Sequence, residues 1–242
     1  MSSTASSRTS SRAKAPGTLV AAAFVVVGLA GCAATRGDPE FSRVLLDGRH
    51  WTFEAEIPQT RISLNRGVLD VDTPAGVTLW LNHEIRGPVE IEFDATAVAV
   101  GGVNDQVSDL NVFWMATNTD GTAPFTHPRK GKFAEYDDLT TYYVGLGGNR
   151  NTTSRFRRYV GEPGNRPLLP QHDLSDPSVL LVPNRRQTIT LIARGGHIEY
   201  RRDGKMLFAY EDATPYTRGW FALRTTWSHL RIENFRVRRP RD

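Results

Sequence analysis

The chain has 242 residues, with 30 basic and 26 acidic side chains, six histidines and one cysteine. A single cysteine excludes an intramolecular disulfide, so stability must come from a buried core, and this length suffices for one sandwich or barrel domain. Three of the basic residues precede residue 32, which leaves a near balance of 27 basic and 26 acidic residues in the remainder. This balance gives no sign of a nucleic-acid partner, and we expect none.

The first 31 residues have the parts of an export signal. Arg8, Arg12 and Lys14 form a basic region without acidic residues, and an apolar run follows over residues 19–30. That run is shorter than the roughly 20 residues that a membrane-spanning helix needs. It ends in Leu-Ala-Gly-Cys at residues 29–32, which resembles the lipobox of bacterial lipoprotein signals. The resemblance implies lipidation of Cys32 and a lipid anchor in the cell envelope, at the outer membrane or the cell surface.

The remaining chain divides into a polar, lipidated tether over residues 32–40 and one domain over residues 41–242. The domain has short segments of strand type separated by turn signals, without helical periodicity. Asp203-Gly204 between two of these segments is a strong signal for a hairpin turn. An all-β sandwich of two antiparallel sheets is therefore expected, as a monomer. The predicted strands cover residues 44–46, 51–55, 61–64, 67–71, 76–81, 89–95, 109–115, 141–146, 154–159, 187–193, 197–202, 205–210, 220–224 and 230–237.

Three stretches of the domain carry a family resemblance: residues 108–116, 142–159 and 219–229. They resemble a bacterial lipoprotein domain family of the concanavalin A-like lectin/glucanase superfamily, which is associated with glycan degradation. The resemblance implies a jelly-roll β-sandwich with a groove on its concave sheet. It also implies a polysaccharide or oligosaccharide as the partner.

Arginines are concentrated in the strand predicted over residues 154–159. If Phe156 points into the core, then Arg155, Arg157 and Tyr159 point outward together, because side chains alternate along a strand. Guanidinium groups bind carboxylate and sulfate groups through paired hydrogen bonds. Residues 149–166 hold five arginines against Glu162 alone, which favours an acidic glycan. A solvated strand face, or salt bridges within the protein, would explain the same pattern.

The strand over residues 109–115 alternates in the same way. Asp109, Asn111 and Phe113 share one face, opposite three apolar residues. Two short polar side chains on an apolar strand are costly unless they face solvent or are hydrogen-bonded. A groove position and a structural hydrogen bond would each satisfy Asp109 and Asn111.

The last third of the chain offers further groove candidates. Phe221 and Leu223 share the apolar face of their predicted strand, so alternation places Arg224 on the opposite face. The loop that follows borders the substrate groove in the sugar-hydrolase jelly rolls that the chain resembles. That resemblance implies that Arg224, Trp227 and His229 are groove residues. Trp227 would stack on a sugar ring, or would pack at an end of the sandwich core.

The glycine-rich segment 145–151 lacks the Gly-Lys-Ser/Thr ending of a phosphate-binding loop. Glycines beside asparagines suit a loop close to a ligand, and Asn149 and Asn151 are typical partners of sugar hydroxyls.

Two reactions fit these residues. Elimination from a uronate needs a group that neutralises the carboxylate and groups that move protons. We expect Tyr143, Arg155 and His229 to be catalytic in this reaction, with Arg157, Asn149 and His172 binding substrate.

Hydrolysis needs two carboxylates beside the sugar chain. Glu90, Glu92 and Asp94 share one strand face, as in the acidic strand of laminarinase-like jelly-roll glucanases, although noncatalytic jelly rolls also carry acidic residues there. A noncatalytic lectin and a structural or partner-binding envelope protein are the alternatives to an enzyme.

No cofactor and no metal site are expected, because the histidines do not lie at ligand spacing. Loop carboxylates such as Asp137 and Asp138 would be able to hold a structural calcium ion in a jelly roll.

Overall fold

The computed structural model describes residues 48–240. The predicted signal over residues 1–31, the lipidation site Cys32, the tether over 32–40 and the strand predicted over 44–46 lie outside the described residues. No helix within residues 48–240 is long and apolar enough to cross a membrane.

Two antiparallel sheets make up the described structure. The strands of the first sheet are β1 (Trp51–Ala55), β4 (Val77–Leu81), β5 (Ile85–Arg86), β7 (Leu110–Thr117), β8 (Thr140–Gly147), β9 (Thr153–Val160), β10 (Asp173–Leu174) and β14 (Arg218–Thr225). Those of the second sheet are β2 (Arg61–Asn65), β3 (Val68–Thr73), β6 (Val89–Ala97), β11 (Arg186–Arg194), β12 (His197–Arg202), β13 (Lys205–Glu211) and β15 (Ser228–Arg238). Short 3-10 helices lie at Gly48–His50, Pro124–Thr126, Phe133–Tyr136, Pro170–His172 and Pro177–Val179.

Several strands that are neighbours in the sheets are not consecutive along the chain. The eight-stranded sheet runs β1-β4-β14-β7-β8-β9-β10, with β5 paired to β14. The seven-stranded sheet runs β13-β12-β11-β6-β15-β3-β2. The predicted all-β sandwich of two antiparallel sheets is confirmed, and each strand predicted within the described residues is present. The Asp203-Gly204 turn joins β12 to β13 with positive φ at both residues, 52° and 74°, which suits the right-handed twist of a hairpin.

The main core lies between the two sheets. Every second residue of a central strand enters it: Val112 and Trp114 from β7, Ile91 and Phe93 from β6, and Phe221 from β14 are all buried there. Removing this apolar surface from water is the main stabilising term of the fold, since no disulfide is possible.

The face of the eight-stranded sheet that points away from the main core is here called the groove face. It carries a second apolar cluster. Phe113, Tyr143 and Trp80 alternate with the core residues of their strands and are buried in this cluster. They are covered by residues 118–139, the covering segment, which contributes Tyr136 and Leu139. The covering segment therefore shields the part of the groove face that carries this apolar cluster, and it is a loop rather than a third layer of regular structure.

Glu54 of β1 fastens the covering segment to the sheet. It is 5% exposed. Its Oε2 accepts the indole N–H of Trp80 at 2.8 Å and the hydroxyl of Tyr136 at 2.9 Å. Its Oε1 accepts the backbone N–H of Arg129 at 3.0 Å. A buried carboxylate with three donors is stable in this position, because its charge is fully hydrogen-bonded.

Candidate functional site

A groove of about 620 Å³ occupies the uncovered part of the groove face. Sequence-predicted site residues make up much of its lining: Asp109, Asn111, Tyr143, Asn149, Arg155, Arg157, Arg224 and Trp227. Gly145, Arg150 and Arg166, from the glycine-rich and arginine-rich segments noted in the sequence, also line it, together with residues that the sequence did not single out: Glu56, Gln106 and Ser108.

Strand register places four residues in one line across the floor of the groove. Arg224 of β14 pairs with Asn111 of β7, Asn111 pairs with Gly145 of β8, and Gly145 pairs with Arg155 of β9. Neighbouring strands lie about 4.8 Å apart, so the side chains of directly opposed residues are close neighbours. We call this line the floor row. It joins positions from four strands: β8 and β9 follow one another along the chain, whereas β14 is distant in sequence from β7.

Gly145 leaves a gap in the floor row. A β-carbon at this position would lie 2.6 Å from the hydroxyl oxygen of Tyr143 and 3.1 Å from Oδ1 of Asn111. Both distances are shorter than an ordinary van der Waals contact. Glycine is therefore what allows the Tyr143 hydroxyl and the Asn111 amide to occupy the floor together.

The orientation of the Asn111 amide follows from its neighbour. Asn111 is 1% exposed, and its Nδ2 donates to Oδ1 of Asp109 at 3.2 Å. A carboxylate only accepts hydrogen bonds, so the amide nitrogen must face Asp109 and Oδ1 must face away. Oδ1 of Asn111 is buried and has no hydrogen-bond partner among the described residues. An acceptor is thus held at the groove floor without a donor.

Arg224 holds an unpaired donor at the groove floor, where Asn111 holds an unpaired acceptor. It is 3% exposed, its Nη2 donates to the carbonyl of Gly131 at 3.0 Å, and its guanidinium lies 4.8 Å from the ring centre of Phe133. Its Nε is buried without a partner among the described residues. The Glu56 carboxylate lies near this guanidinium, since a β-carbon on Gly76 would stand 2.7 Å from Oε2 of Glu56 and 2.8 Å from Nη2 of Arg224. The floor therefore holds a buried N–H donor that the described protein leaves unpaired.

Three further arginines give the groove a positive wall. Arg155 is neutralised by Asp173, with Nε 2.8 Å from Oδ1. Arg157 donates to the carbonyl of Arg166, and burial lowers the pKa of Arg157 while the neighbouring cations lower it further. Arg166 stands over the ring of Phe133 at 5.2 Å and lies 3.5 Å from Asp137. The charge of Arg157 is thus the least compensated in this wall.

Tyr143 is a buried phenol in this positive surrounding. Burial raises the pKa of Tyr143 well above its usual range, and the negative charge of Asp109 adds to the effect. The hydroxyl therefore keeps its proton at neutral pH. In this position it is suited to donate a proton or a hydrogen bond, not to act as a base.

The rim of the groove carries strained backbone. Asn149, Arg150 and Asn151 are left-handed in succession, with φ of 54°, 59° and 59°. Such a run is unfavourable for residues with a β-carbon, and strain of this kind clusters at functional sites. The run brings the guanidinium of Arg150 over the ring of Trp227 at 5.3 Å. Arg150 thus lies over one face of the Trp227 ring, and Trp227 is 43% exposed.

Three predicted site residues lie outside the groove. Asn151 holds the backbone of Leu181 through both its amide atoms, at 2.8 and 2.9 Å. His172 is buried against Phe156, with ring centres 4.9 Å apart, and burial lowers its pKa. Neither lines the groove, because each side chain is already used in packing the loops at the edge of the sheet.

His229 also lies elsewhere, on β15 of the seven-stranded sheet. Its ring nitrogens lie 3.0 Å from Asp70 and 3.0 Å from Asp105. Asp105 in turn accepts the backbone N–H groups of Val100 and Gly102. His229 therefore holds the loop that leads to Asp109, and the described groove contains no histidine.

The acidic strand β6 faces away from the groove. Glu90, Glu92 and Asp94 share the outer face of the seven-stranded sheet, as predicted. Arg238 pairs with both Glu90 and Glu92, and Arg186 lies 3.9 Å from Asp94. These carboxylates are too far from the groove floor to serve as its catalytic pair, since they belong to the other sheet.

No group of three or more His, Cys, Asp or Glu side chains suited to a metal ion occurs within the described residues. Asp137 and Asp138, the loop carboxylates named above as able to hold calcium in a jelly roll, lie against Arg166 and Arg129 respectively, at 3.5 and 2.7 Å.

The fold is shared with solved structures of low sequence identity. A Bacillus subtilis protein of unknown function with a galectin-like fold has a TM-score of 0.61 at 16% identity, with 81% of this chain and 93% of that chain covered. The carbohydrate-binding module CBM66 from Bacillus subtilis has a TM-score of 0.53 at 11% identity, covering 78% and 94%. The exoplasmic/lumenal domain of VIP36, in a form bound to Ca²⁺ and Man3GlcNAc, has a TM-score of 0.51 at 12% identity, covering 82% and 88%. These similarities confirm the predicted jelly-roll fold.

No curated protein matches the sequence. A family model described as a domain of unknown function, DUF6250, matches residues 71–235, which include all of the floor row. The chain belongs to the DUF6250 family.

Proposed function

We propose that the chain binds an acidic polysaccharide or oligosaccharide along the groove. The observation that carries the proposal is Arg224, a guanidinium that is 3% exposed at the groove floor, with a buried Nε that lacks a partner among the described residues. An anionic ligand would supply the missing acceptor. Arg157, whose charge is the least compensated in the arginine wall, extends the positive surface along the groove.

The similar structures support a sugar as the carrier of that negative charge. One of them is a carbohydrate-binding module, and another was solved with Man3GlcNAc bound. The groove also presents hydroxyl and amide groups beside the arginines, from Ser108, Asn149 and Thr153. Such groups commonly bind sugar hydroxyls.

Binding of the full-length chain, purified in detergent, to immobilised glycans tests this function. We expect binding to acidic glycans that weakens with added salt, because charge pairs are screened. The Arg224→Ala variant should lose most of the binding to acidic glycans. Arg186→Ala is the matched control, since it removes the same charge from the outer face of the other sheet. Equal binding of neutral and acidic glycans would contradict the proposal.

Elimination is a second candidate function, favoured by the protonated phenol of Tyr143 beside Asp109. Asp109 would take the proton next to the uronate carboxylate, and the electron pair of that C–H bond would form the new double bond. The glycosidic C–O bond would break, and its oxygen would take the proton of Tyr143. Arg224 would hold the carboxylate throughout.

Ultraviolet absorbance of unsaturated uronates and the release of reducing ends distinguish the possible activities. A rise in both that is absent in Tyr143→Phe would establish elimination. Reducing ends without the absorbance would establish hydrolysis. Binding without either product would establish a lectin.

We also propose that the chain acts at the cell envelope, anchored through a lipid on Cys32. The proposal is supported by the basic region, the short apolar run and the lipobox-like residues before Cys32.

A further inference from the structure

The two unsatisfied groups at the groove floor are direct neighbours of opposite hydrogen-bonding type. Arg224 and Asn111 are paired residues of β14 and β7. Nε of Arg224 is a donor with a positive charge, and Oδ1 of Asn111 is an acceptor, each buried and without a partner among the described residues. A ligand that satisfies both must present an anionic acceptor and a hydroxyl donor about one strand spacing apart.

Asp109 narrows the choice of ligand. Its carboxylate holds the Asn111 amide with Nδ2 toward itself, so Asn111 cannot turn its amide group to offer a donor instead. A ligand group that carries only acceptors would face both Oδ1 of Asn111 and the nearby carboxylate. It would bind Arg224 but leave Asn111 unsatisfied.

Sugar acids and sugar sulfates differ in this respect. A uronate carries its charge on a carboxylate and keeps its ring hydroxyls as donors. A sulfate ester takes the place of a hydroxyl, so each added charge removes one donor. Resting on the function proposed above, we infer that Arg224, Asn111 and Gly145 form a uronate subsite. Arg224 binds the carboxylate, Asn111 accepts a hydroxyl hydrogen of the same ring, and Gly145 leaves room for the Tyr143 hydroxyl beside them.

Gly145 makes this arrangement of the floor sterically possible. A β-carbon there would lie within 3.1 Å of both Oδ1 of Asn111 and the hydroxyl of Tyr143, so any side chain would displace one of them. The Tyr143 hydroxyl is a further hydrogen-bond donor beside Asn111, and its raised pKa keeps it protonated.

The subsite predicts a preference that a binding experiment measures. The full-length chain in detergent is titrated with hyaluronan, polygalacturonate and alginate, with sulfated glycans that lack uronates, and with carboxyl-reduced forms of the same uronate polymers. We expect at least one uronate polymer to bind at least tenfold tighter than the sulfated glycans, and its carboxyl-reduced form to lose that binding. Asn111→Ala should weaken uronate binding about tenfold and leave sulfated glycans unchanged, because only the hydroxyl contact is removed.

Arg224→Lys is the second variant, since it keeps the charge but lacks Nε. It should also weaken uronate binding, and a thermal melt close to that of the wild type shows that each variant is folded. Tighter binding of sulfated glycans, with Asn111→Ala affecting neither class, would overturn the uronate subsite and leave the acidic-glycan function standing. Binding of no acidic glycan at all would overturn both.

Discussion

The hydroxyl of Tyr143 lies 2.6 Å from the point where a β-carbon would stand on Gly145, two residues further along the same strand. The phenol thus leans along β8 and covers the backbone of a residue that has no side chain. This contact fixes where the only described tyrosine hydroxyl of the groove can lie.

Gly145→Ala should therefore displace Tyr143 and Asn111 from the groove floor. We expect acidic-glycan binding to fall about tenfold or more, with a loss of stability of about 1–3 kcal/mol from the forced contact. Binding titration and chemical denaturation of the same preparation measure the two effects. Gly148→Ala is the matched control in the same groove, because its β-carbon would meet no atom closer than 3.6 Å. Equal effects of the two changes would contradict the special role of Gly145.

Glu54→Ala should release the covering segment. The substitution removes the acceptor of Trp80, Tyr136 and the Arg129 backbone, which leaves buried donors unpaired. We expect a loss of about 3 kcal/mol in the free energy of unfolding. The chain has four lysines, and two of them, Lys130 and Lys132, lie in this segment. Cleavage of the covering segment by a lysine-specific protease, after Lys130 or Lys132, should therefore accelerate. Glu162→Ala on an exposed loop should leave the cleavage rate unchanged.

Asp212 should make stability depend on acid pH. Burial raises its pKa, but hydrogen bonds from Arg158 and Tyr142, each at 2.7 Å, outweigh burial and lower the pKa below its usual value. A folded-state pKa below the unfolded one gives stability that is fully present above about pH 4 and is lost as the pH falls through the folded value. The free energy of unfolding measured from neutral to acid pH should show this loss.

Asp212→Asn should flatten that acid limb, because the titrating group is gone. It should also lower stability at neutral pH by about 3 kcal/mol, since Arg158 is left without its partner. Asp203→Asn in the exposed β12–β13 turn is the control. A steep acid limb that persists in Asp212→Asn would assign the pH dependence to other carboxylates.

Cys32→Ser should prevent lipidation if the lipobox-like sequence is processed. In a bacterial host we expect the wild-type chain in the membrane fraction, labelled by a fatty-acid analogue. The Cys32→Ser chain should carry no label and should leave the membrane on washing, because a lipid anchor is the proposed attachment. Labelling that persists without Cys32 would contradict the site.

The alternation of side chains along single strands was predictable from the sequence. Asn111 and Phe113 face away from Val112 and Trp114, and Arg224 faces away from Phe221, as the apolar pattern indicates. A strand has a period of two, so one apolar residue in the core sets the direction of its neighbours. The all-β class and the candidate arginines follow from the same local rule.

Which strands lie side by side was decided by the tertiary structure. Gly145 lies between Asn111 and Arg155 because β7 pairs with β8 and β8 with β9. β8 and β9 follow one another along the chain, but the place of Arg224 beside Asn111 depends on the pairing of β14 with β7, which nothing near either residue in the sequence indicates. The same limit applies to His229, which is close to Arg224 in sequence but lies on the other sheet, bonded to Asp70 and Asp105. The sequence by itself determined the strands and the face of each side chain, since both depend on local alternation. The floor row and its unsatisfied pair depend on register between distant strands, and that register is set by packing of the whole core.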